Sequence, residues 1–457
     1  LVIVGGGLAG SEAAWQAASL GINVKLFEMR PKKSTGAHRT DHLAELVCSN
    51  SLGSNLPDRA AGLLKNELRQ LGSLLIACAD ASSLPAGSAL AVDRETFSEC
   101  VQAQIEAHPK IEVIREEVVE IPQPPAIIAS GPLTSPVLSK AVEKITGSEN
   151  LFFYDAIAPI IHVDSIEMNI AYRANRYDKD NIGQGDYINC PFTEAQYYQF
   201  REELLAAQRI PLKEFEVEIE HGVDAGAGKY FQGCQPIEVI AERGEKALAF
   251  GPMRPAGLPD PKTGRWPFAV VQLRQDNIAG DLYNLVGFQT NLKLEEQKRV
   301  FRLIPGLENA TFERLGQMHR NLFIAGPKLL NDDLSLISFP GLFIAGQLSG
   351  IEGYAGNIAS GLIAGINAAR LMQEKTPLVL PNTTMIGALL HYITHANVEN
   401  FQPIKAMFGI LPKLDLEKRL SKKLRYARYV KRAEEELEGY LHTLGVNHQE
   451  KHDFEMP

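Results

Sequence analysis

The sequence is poor in cysteine and lacks any long hydrophobic run. Its 457 residues include five cysteines, which are widely spaced and form no Cys-x-x-Cys pair. Such a scattered, odd-numbered set argues against a disulfide framework and against a zinc site. No stretch approaches the eighteen or so consecutive apolar residues of a transmembrane helix. No basic segment precedes the opening LVIVGGG, so we expect no signal peptide in the sequence shown and a reducing, cytoplasmic location.

The chain also lacks a positive charge excess. It has 46 Lys and Arg against 55 Asp and Glu, a net charge of −9. A negative long-range field repels phosphates and disfavours general affinity for nucleic acid, so any RNA partner must meet a local basic patch. The length suggests two or three domains.

The first thirty residues read as strand, glycine-rich turn, helix and strand. The pattern Gly-x-Gly-x-x-Gly opens the helix, and Glu28 closes the second strand about twenty residues later. The glycines permit a tight turn, a close approach of backbone to a pyrophosphate, and helix–strand packing, while Glu28 is placed to accept hydrogen bonds from a ribose diol. The residues expected around a bound dinucleotide are Gly5, Gly6, Gly7, Leu8, Ala9, Gly10 and Glu28.

Two later stretches indicate which dinucleotide is bound. PPAIIASGPLTS is an apolar strand that breaks at Ser130 and Gly131, and residues 341–370 read as a strand, a glycine-rich turn and a helix of small residues. A second strand-to-glycine crossing near the C-terminus is typical of two-dinucleotide-binding flavoproteins, in which the chain returns to the flavin of FAD. The alternative is a second, empty strand–helix unit.

The middle of the chain differs in composition. Residues 186–325 are amphipathic and charged, with strand-like stretches and no dinucleotide signature of their own. We therefore predict an α/β fold: a Rossmann-like FAD-binding domain of the two-dinucleotide-binding flavoprotein type, formed by residues 1–185 and 326–457. An inserted α+β domain, residues 186–325, would interrupt it.

Residues 413–441 predict a basic helix. Leu416, Leu420, Leu424 and Ala427 share one face at helical spacing. On a chain of negative net charge, the basic residues of the other faces form the local exception that RNA binding requires, although a solvated helix face is the alternative. The candidate RNA-binding residues are Lys418, Arg419, Lys422, Lys423, Arg425 and Arg428.

Two cysteines lie in polar, glycine-containing contexts: Cys48 in ELVCSNSLGS and Cys234 in YFQGCQPIE. Buried cysteines usually act as small hydrophobes, and Cys78, Cys100 and Cys190 fit that role better. Thiolates attack electron-poor carbons, including C6 of uracil, which makes C5 nucleophilic and requires a base to remove the C5 proton. One cysteine and one base, or two cysteines exchanging these roles, would suffice.

Several strings together resemble one family: GGGLAGSEAAWQAA, ELVCSNSLGS, ASGPLTS, YFQGCQPIEVIAERG and GIEGYAGNIASGLIAG. They are similar to the bacterial folate- and FAD-dependent tRNA (uracil-5-)-methyltransferases, from the first residue to about residue 400. The resemblance implies methylation of the T-loop uridine of tRNA, with 5,10-methylenetetrahydrofolate as carbon donor, FAD as cofactor and NADH or NADPH as reductant. It implies no metal, no membrane and no obligate protein partner.

The same resemblance assigns site residues. Cys48 and Cys234 match the family's two cysteines, of which one would attack uracil C6 and the other would act as base or protect the flavin adduct. The C-terminal flavin motif matches Gly346, Gln347 and Gly353, and Gly131 lies in the matching ASGPLTS string. Gln347 stands where many flavoproteins place an acid.

Three other functions remain open at this stage. A longer flavoprotein that installs carboxymethylaminomethyl groups on wobble uridines shares the glycine motif and folate use. A small-molecule NAD(P)H:flavin oxidoreductase fits the acidic charge. A flavin-bound scaffold without turnover would need neither cysteine.

Overall fold

The computed structural model describes residues 1–35, 37–147, 151–177, 185–210, 235–415 and 420–443. Three of the candidate site residues, Cys234, Lys418 and Arg419, lie outside these ranges. Among the described helices, none combines the length and the apolar character needed to span a membrane.

Strands and helices are numbered along the chain. The strands are β1 (Val2–Val4), β2 (Val24–Phe27), β3 (Ser51–Ser54), β4 (Ser83–Leu84), β5 (Ala89–Val92), β6 (Ile111–Ile114), β7 (Ala126–Ile128), β8 (Leu151–Ala156), β9 (Ile160–His162), β10 (Tyr172–Arg173), β11 (Tyr187–Phe192), β12 (Ala269–Gln275), β13 (Leu282–Leu285), β14 (Phe312–Arg314), β15 (Met318–Phe323), β16 (Ser335–Leu336) and β17 (Phe339–Ile344). The helices are α1 (Leu8–Ser19), α2 (Ala60–Gln70), α3 (Leu74–Ala81), α4 (Arg94–Ala107), α5 (Pro136–Thr146), α6 (Glu194–Ala206), α7 (Ile237–Glu242), α8 (Ala247–Phe250), α9 (Leu294–Phe301), α10 (Gly326–Leu329), α11 (Tyr354–Met372), α12 (Met385–His395) and α13 (Lys422–Thr443).

The first sheet is built from both ends of the chain. Its strand order is β16–β17–β7–β1–β2–β6, and every pair is parallel except β16 with β17. The central strands are short apolar runs, as expected for a parallel sheet covered on both faces. Because β17 follows β7 in the sheet but comes about two hundred residues later in the chain, the nucleotide-binding domain is discontinuous, and the predicted fold class is confirmed.

Helices α1 and α11 pack backbone to backbone. A Cβ added at Gly361 would lie 2.2 Å from the carbonyl oxygen of Ala9, and one added at Gly365 would lie 2.4 Å from that of Ala13. Glycine is therefore required at both positions, because no side chain fits between the helices. The small residues of GNIASGLIAGINAA serve this close contact.

The second sheet is antiparallel and belongs to a separate domain. Its order is β10–β11–β12–β13–β9–β14, and its apolar core runs from Ile161 to Phe312. The core of the first domain resumes at Leu322, close to the predicted boundary at 325. The predicted start at 186 is too late, because β9 and β10 already belong to this sheet. Those strands are short, and β9 pairs with β13 and β14 far along the chain, so composition did not mark them.

The C-terminal helix buries a different face from the predicted one. Leu424 is 58% exposed, whereas Tyr429 and Leu437 are buried against the first domain. The described helix begins at Lys422, and Leu424 and Ala427 in its first turns are exposed to solvent. The basic residues of these turns, Lys422, Lys423, Arg425 and Arg428, are exposed.

Two glycine-to-alanine substitutions should change the free energy of unfolding in opposite directions, because only one of them lies in the contact between α1 and α11. We expect Gly361→Ala to lower the free energy of unfolding by about 1–3 kcal/mol, because the new methyl group forces the helices apart. Gly439→Ala on exposed α13 is the matched control, since a Cβ there meets nothing within 4 Å. It should raise stability by about 0.5–1 kcal/mol. Urea denaturation of both variants measures the difference, and equal stabilisation by the two would contradict the packing argument.

Candidate active site

The glycine loop between β1 and α1 has the geometry of a phosphate-binding turn. Gly5 has φ +105°, and a Cβ there would lie 2.5 Å from the carbonyl oxygen of Ala129. A Cβ at Gly10 would lie 1.8 Å from the oxygen of Gly5, whereas one at Gly7 would meet nothing within 4 Å. Gly7 precedes α1 and faces open space, so the N–H groups of the first turn are accessible to an anion.

Glu28 fixes this loop from the end of β2. One carboxylate oxygen accepts from the Gly6 N–H at 3.0 Å, and the other accepts from the backbone N–H and Nε of Arg30. Burial would raise the pKa of Glu28, but the hydrogen bond and charge of Arg30 outweigh it and hold the pKa below its ordinary value. Arg30 in turn pairs with Glu45 at 3.0 Å. Glu28 therefore anchors the loop in addition to its predicted place beside a ribose.

A first cavity of about 1000 Å³, open mouth included, runs from the glycine loop to the start of α11. Glu28, the Ser130–Gly131 break, Gly346 and Gln347 line it together with the loop. The candidate residues brought together here are Gly5, Gly7, Leu8, Ala9, Glu28, Gly131, Gly346 and Gln347. Gly6 and Gly10 do not line this cavity. They pack against Glu28 and Gly5 and so fix the conformation of the loop.

A second cavity of about 1170 Å³ adjoins the first, and Cys48 and Gly353 line it. The two cavities are adjacent, because six residues line both of them. The lining residues common to both are Val47, Pro132, Leu133, Gln347, Tyr354 and Asn357.

The loop that carries Cys48 is held from both domains. The Cys48 N–H donates to the Tyr354 hydroxyl at 2.9 Å, and the Cys48 carbonyl accepts from Arg94 at 2.9 Å. From the second domain, Arg274 donates to Asn50 at 2.9 Å and to the Ser49 hydroxyl at 2.7 Å. The side chains of Ser49 and Asn50 fix the backbone of this loop, which continues into β3 at Ser51.

Two arginines give the loop a positive environment. Arg94 pairs with buried Asp276 of the second domain at 3.0 Å. Burial lowers the pKa of Arg94, but Asp276 outweighs burial and holds the pKa above its ordinary value. Burial, and then the charge of Arg94, lower the pKa of Arg314. Both arginines interact electrostatically with Cys48 and Tyr354, so positive charge lies near this thiol.

The first cavity fits an extended dinucleotide. At the end beside the glycine loop, the open space at Gly7 and the N–H groups of the first turn of α1 suit a pyrophosphate. At the end beside α11, the side-chain oxygen of Asn357 is buried and accepts no hydrogen bond from the described residues. Such an oxygen is costly unless a ligand donates to it, and the N–H groups of a flavin ring are suitable donors. Among the described residues, no cluster could hold a metal ion.

Sequence reasoning missed four residues of this site: Arg94, Arg274, Tyr354 and Asn357. Tyr354 and Asn357 stand within the string GIEGYAGNIASGLIAG, but the contacts of Tyr354 and Arg94 with Cys48 join residues up to 306 positions apart. No local pattern reveals such contacts. Cys234 lies outside the described residues, so its predicted partnership with Cys48 stays a prediction.

Comparisons with known proteins agree with this geometry. The family model described as "Glucose inhibited division protein A" matches residues 1–376. The methylenetetrahydrofolate–tRNA-(uracil-5-)-methyltransferase TrmFO of Heliobacterium modesticaldum is 53% identical over 442 residues, which cover 96% of this chain and 98% of that protein. The chain belongs to the TrmFO family. The TrmFO of Bacillus licheniformis is 52% identical, with 97% and 99% of the two chains covered.

Solved structures give the same fold outside the TrmFO family. GidA of Aquifex aeolicus, in its form I crystal, superposes with a TM-score of 0.67 at 18% identity, and the match covers 96% of this chain and 76% of that chain. At this identity the likeness shows the fold alone. This chain covers 98% and 99% of the two TrmFO proteins but 76% of the GidA chain.

The anchoring role of Glu28 predicts a pH-dependent stability difference. A carboxylate with a lowered folded pKa contributes stability above its unfolded value, near 4.5, and loses it as the pH falls through the folded pKa. Glu28→Gln should therefore lower the free energy of unfolding by about 1–3 kcal/mol at pH 7, with a smaller deficit below pH 4.5. Urea denaturation from pH 7 to acid, with exposed Glu438→Gln as control, measures it. A deficit that is constant with pH would refute the charged role.

Proposed function

We propose that this protein methylates C5 of a uracil in tRNA, with the one-carbon unit supplied by 5,10-methylenetetrahydrofolate. The observation that carries the proposal is the pair of adjacent cavities, of which the first fits FAD and the second is lined by Cys48. The identity to TrmFO proteins over nearly the whole chain supports the same reaction.

FAD bound in the first cavity supplies, once reduced by NADH or NADPH, the electrons that convert a methylene unit to a methyl group. The chain's own residues hold and orient it. The glycine loop binds the pyrophosphate, Glu28 lies beside the ribose, and Asn357 accepts a hydrogen bond near the shared wall. The walls common to both cavities keep the reacting groups together and exclude water.

Cys48 acts on the uracil ring in the second cavity. In one role its thiolate adds to C6, which raises electron density at C5; in the other it removes the C5 proton after the new C–C bond has formed. Both roles require that the sulfur of Cys48 lie within reach of the uracil ring. Cys234 would take the role that Cys48 does not, as the family resemblance implies.

The target uridine enters from outside the protein. A base stacked in folded tRNA must be turned out into the pocket at a cost of a few kcal/mol, and phosphate contacts offset that cost. The exposed basic turns of α13, with Lys422, Lys423, Arg425 and Arg428, are suited to such contacts. We place the target in the T loop, in agreement with the family resemblance.

Transfer of label provides the decisive test. Purified protein with FAD, reduced nicotinamide and labelled 5,10-methylenetetrahydrofolate should place label in unmodified tRNA. Mapping the modified base then separates the T loop from the wobble position. Flavin reduction without label in RNA would instead favour a small-molecule oxidoreductase.

Replacement of Cys48 should abolish methyl transfer while the fold is retained. Cys48→Ala removes the nucleophile or base, so we expect at least a thousandfold lower transfer of label, with FAD content and thermal unfolding close to wild type. Cys100→Ala on α4, away from both cavities, is the control and should keep its activity. Full activity of Cys48→Ala would exclude a catalytic role for this thiol.

The basic turns of α13 predict a salt-dependent effect on tRNA binding. Replacement of Lys422, Lys423, Arg425 and Arg428 by Ala should weaken tRNA binding and reduce the slope of log K against log salt by about 0.7–0.9 for each lost phosphate contact. Lys431→Ala is the control, because Lys431 already faces Glu435 at 3.6 Å. Filter binding at several salt concentrations measures the slope. An unchanged slope would assign these residues to a merely solvated face.

A further inference from the structure

Helix α2 carries a lysine that is completely buried beside the second cavity. Lys65 has an exposed fraction of 0%, and Ala61 and Leu64 of the same helix line the cavity. Lysine side chains are almost never fully buried unless their ammonium groups find partners. The proposed mechanism assigns no role to this side chain, and its contacts indicate one.

The ammonium group of Lys65 donates to three backbone carbonyls. Its Nζ lies 3.0 Å from the oxygen of Leu52, 2.7 Å from that of Ser54 and 2.9 Å from that of Ala61. An ammonium group has three donors and no acceptor, so these contacts satisfy it completely. Burial, and then the charge of Arg69, lower the pKa of Lys65 to about 8, so the form with three donors prevails at pH 7.

Two of these carbonyls belong to a bend in β3. Strand β3 pairs with β5 at Ser51 and at Ser54, and the register shifts between these two residues. Within the bend, Gly53 has φ +82°, a left-handed conformation that favours glycine. An irregular stretch of strand leaves backbone groups without ladder partners, and buried carbonyls need donors. Lys65 supplies donors to the carbonyls on both sides of Gly53.

The bend continues the segment that carries the proposed reactive thiol. The residues of this segment that line the second cavity are Cys48, Ser49, Ser51, Leu52 and Gly53. Asn50 fixes the middle of the segment by donating to the carbonyl of Gln275 in the second domain at 3.0 Å. Lys65 fixes its C-terminal end against α2. Since one short segment contains both the thiol and part of the cavity wall, a shift of the bend changes their relative position.

We propose that Lys65 is a positioning residue for methyl transfer, because it holds the bend of β3 against α2 and so sets the wall of the second cavity relative to Cys48. The proposal rests on the proposed function. Lys65 touches no reacting atom and acts through the backbone of Leu52 and Ser54. Such an action is sufficient for a large effect, since a misplacement of about 1 Å in a reacting complex can lower the rate about 100-fold.

Replacement of Lys65 by methionine tests the proposal. Lys65→Met keeps a long, unbranched side chain but removes all three donors. We expect kcat for transfer of label to tRNA to fall about 10–100-fold, because the bend is released, while KM for tRNA changes by less than about threefold. FAD content should stay at the wild-type level. A wild-type kcat in folded Lys65→Met would overturn the proposal.

Glu67→Gln on the same helix is the matched control. Glu67 is also buried, but it anchors a different element: its carboxylate accepts from the N–H groups of Met385 at 2.7 Å and Ile386 at 2.8 Å, at the start of α12. This variant should lose thermal stability and keep the wild-type kcat. An equal fall of kcat in both variants, measured below their unfolding temperatures, would show that general loss of stability is the cause and would refute the positioning role.

Hydrogen exchange of the FAD-loaded protein gives a second measurement that needs no turnover. In Lys65→Met, the backbone N–H groups of residues 48–54 should exchange at least about tenfold faster than in the wild type. In Glu67→Gln, faster exchange should be confined to the start of α12. Unchanged exchange of residues 48–54 in Lys65→Met would contradict the hold of Lys65 on β3.

A milder variant covers the case in which Lys65→Met does not fold. Lys65→Gln keeps two N–H donors on a shorter, neutral side chain, so it cannot reach all three carbonyls. It should lower kcat with little change of KM, and a wild-type kcat would overturn the proposal. A wild type that labels no tRNA refutes the proposed function instead, whereas a wild type that labels tRNA beside an equally active Lys65 variant refutes the role of Lys65 alone.

Discussion

The close contact between α1 and α11 is the constraint on which the rest of the structure depends. Gly361 and Gly365 let the two helices meet without side chains between them. Both helices begin at the first cavity, so this contact sets the glycine loop of α1 beside the segment from Gly346 to Asn357. A Cβ at Gly346 would lie 3.0 Å from that of Ala9, which shows how closely the two glycine-rich segments approach each other.

A second set of contacts joins the two domains at the Cys48 loop. The loop is too polar to pack in a core, and it is ordered instead by Arg94 and Tyr354 on one side and Arg274 on the other. The pair between Arg94 and Asp276 crosses the same boundary. Since buried ion pairs gain stability only with good geometry and further hydrogen bonds, their value here lies in fixing the loop, and hence the thiol, between the domains.

The sequence predicted the parts of the fold that follow local rules. The glycine loop, Glu28 and the second glycine-rich crossing each depend on backbone geometry that only certain residues adopt, and all three lie where they were expected. The predicted start of the second domain and the predicted buried face of α13 were wrong. Strand β9 pairs with β13 and β14 far along the chain, and Leu424 has the spacing of a core residue but is 58% exposed.

The sequence by itself determined which groups are available: a dinucleotide turn, a cysteine in a polar context and a basic helix on an acidic chain. The tertiary structure alone decided where these groups meet. It brought Cys48 to Tyr354, separated by 306 positions, and placed Lys65 behind the wall of the same cavity. The physical reason is that residue type and spacing fix local backbone geometry, whereas contacts between distant segments depend on how helices and sheets pack.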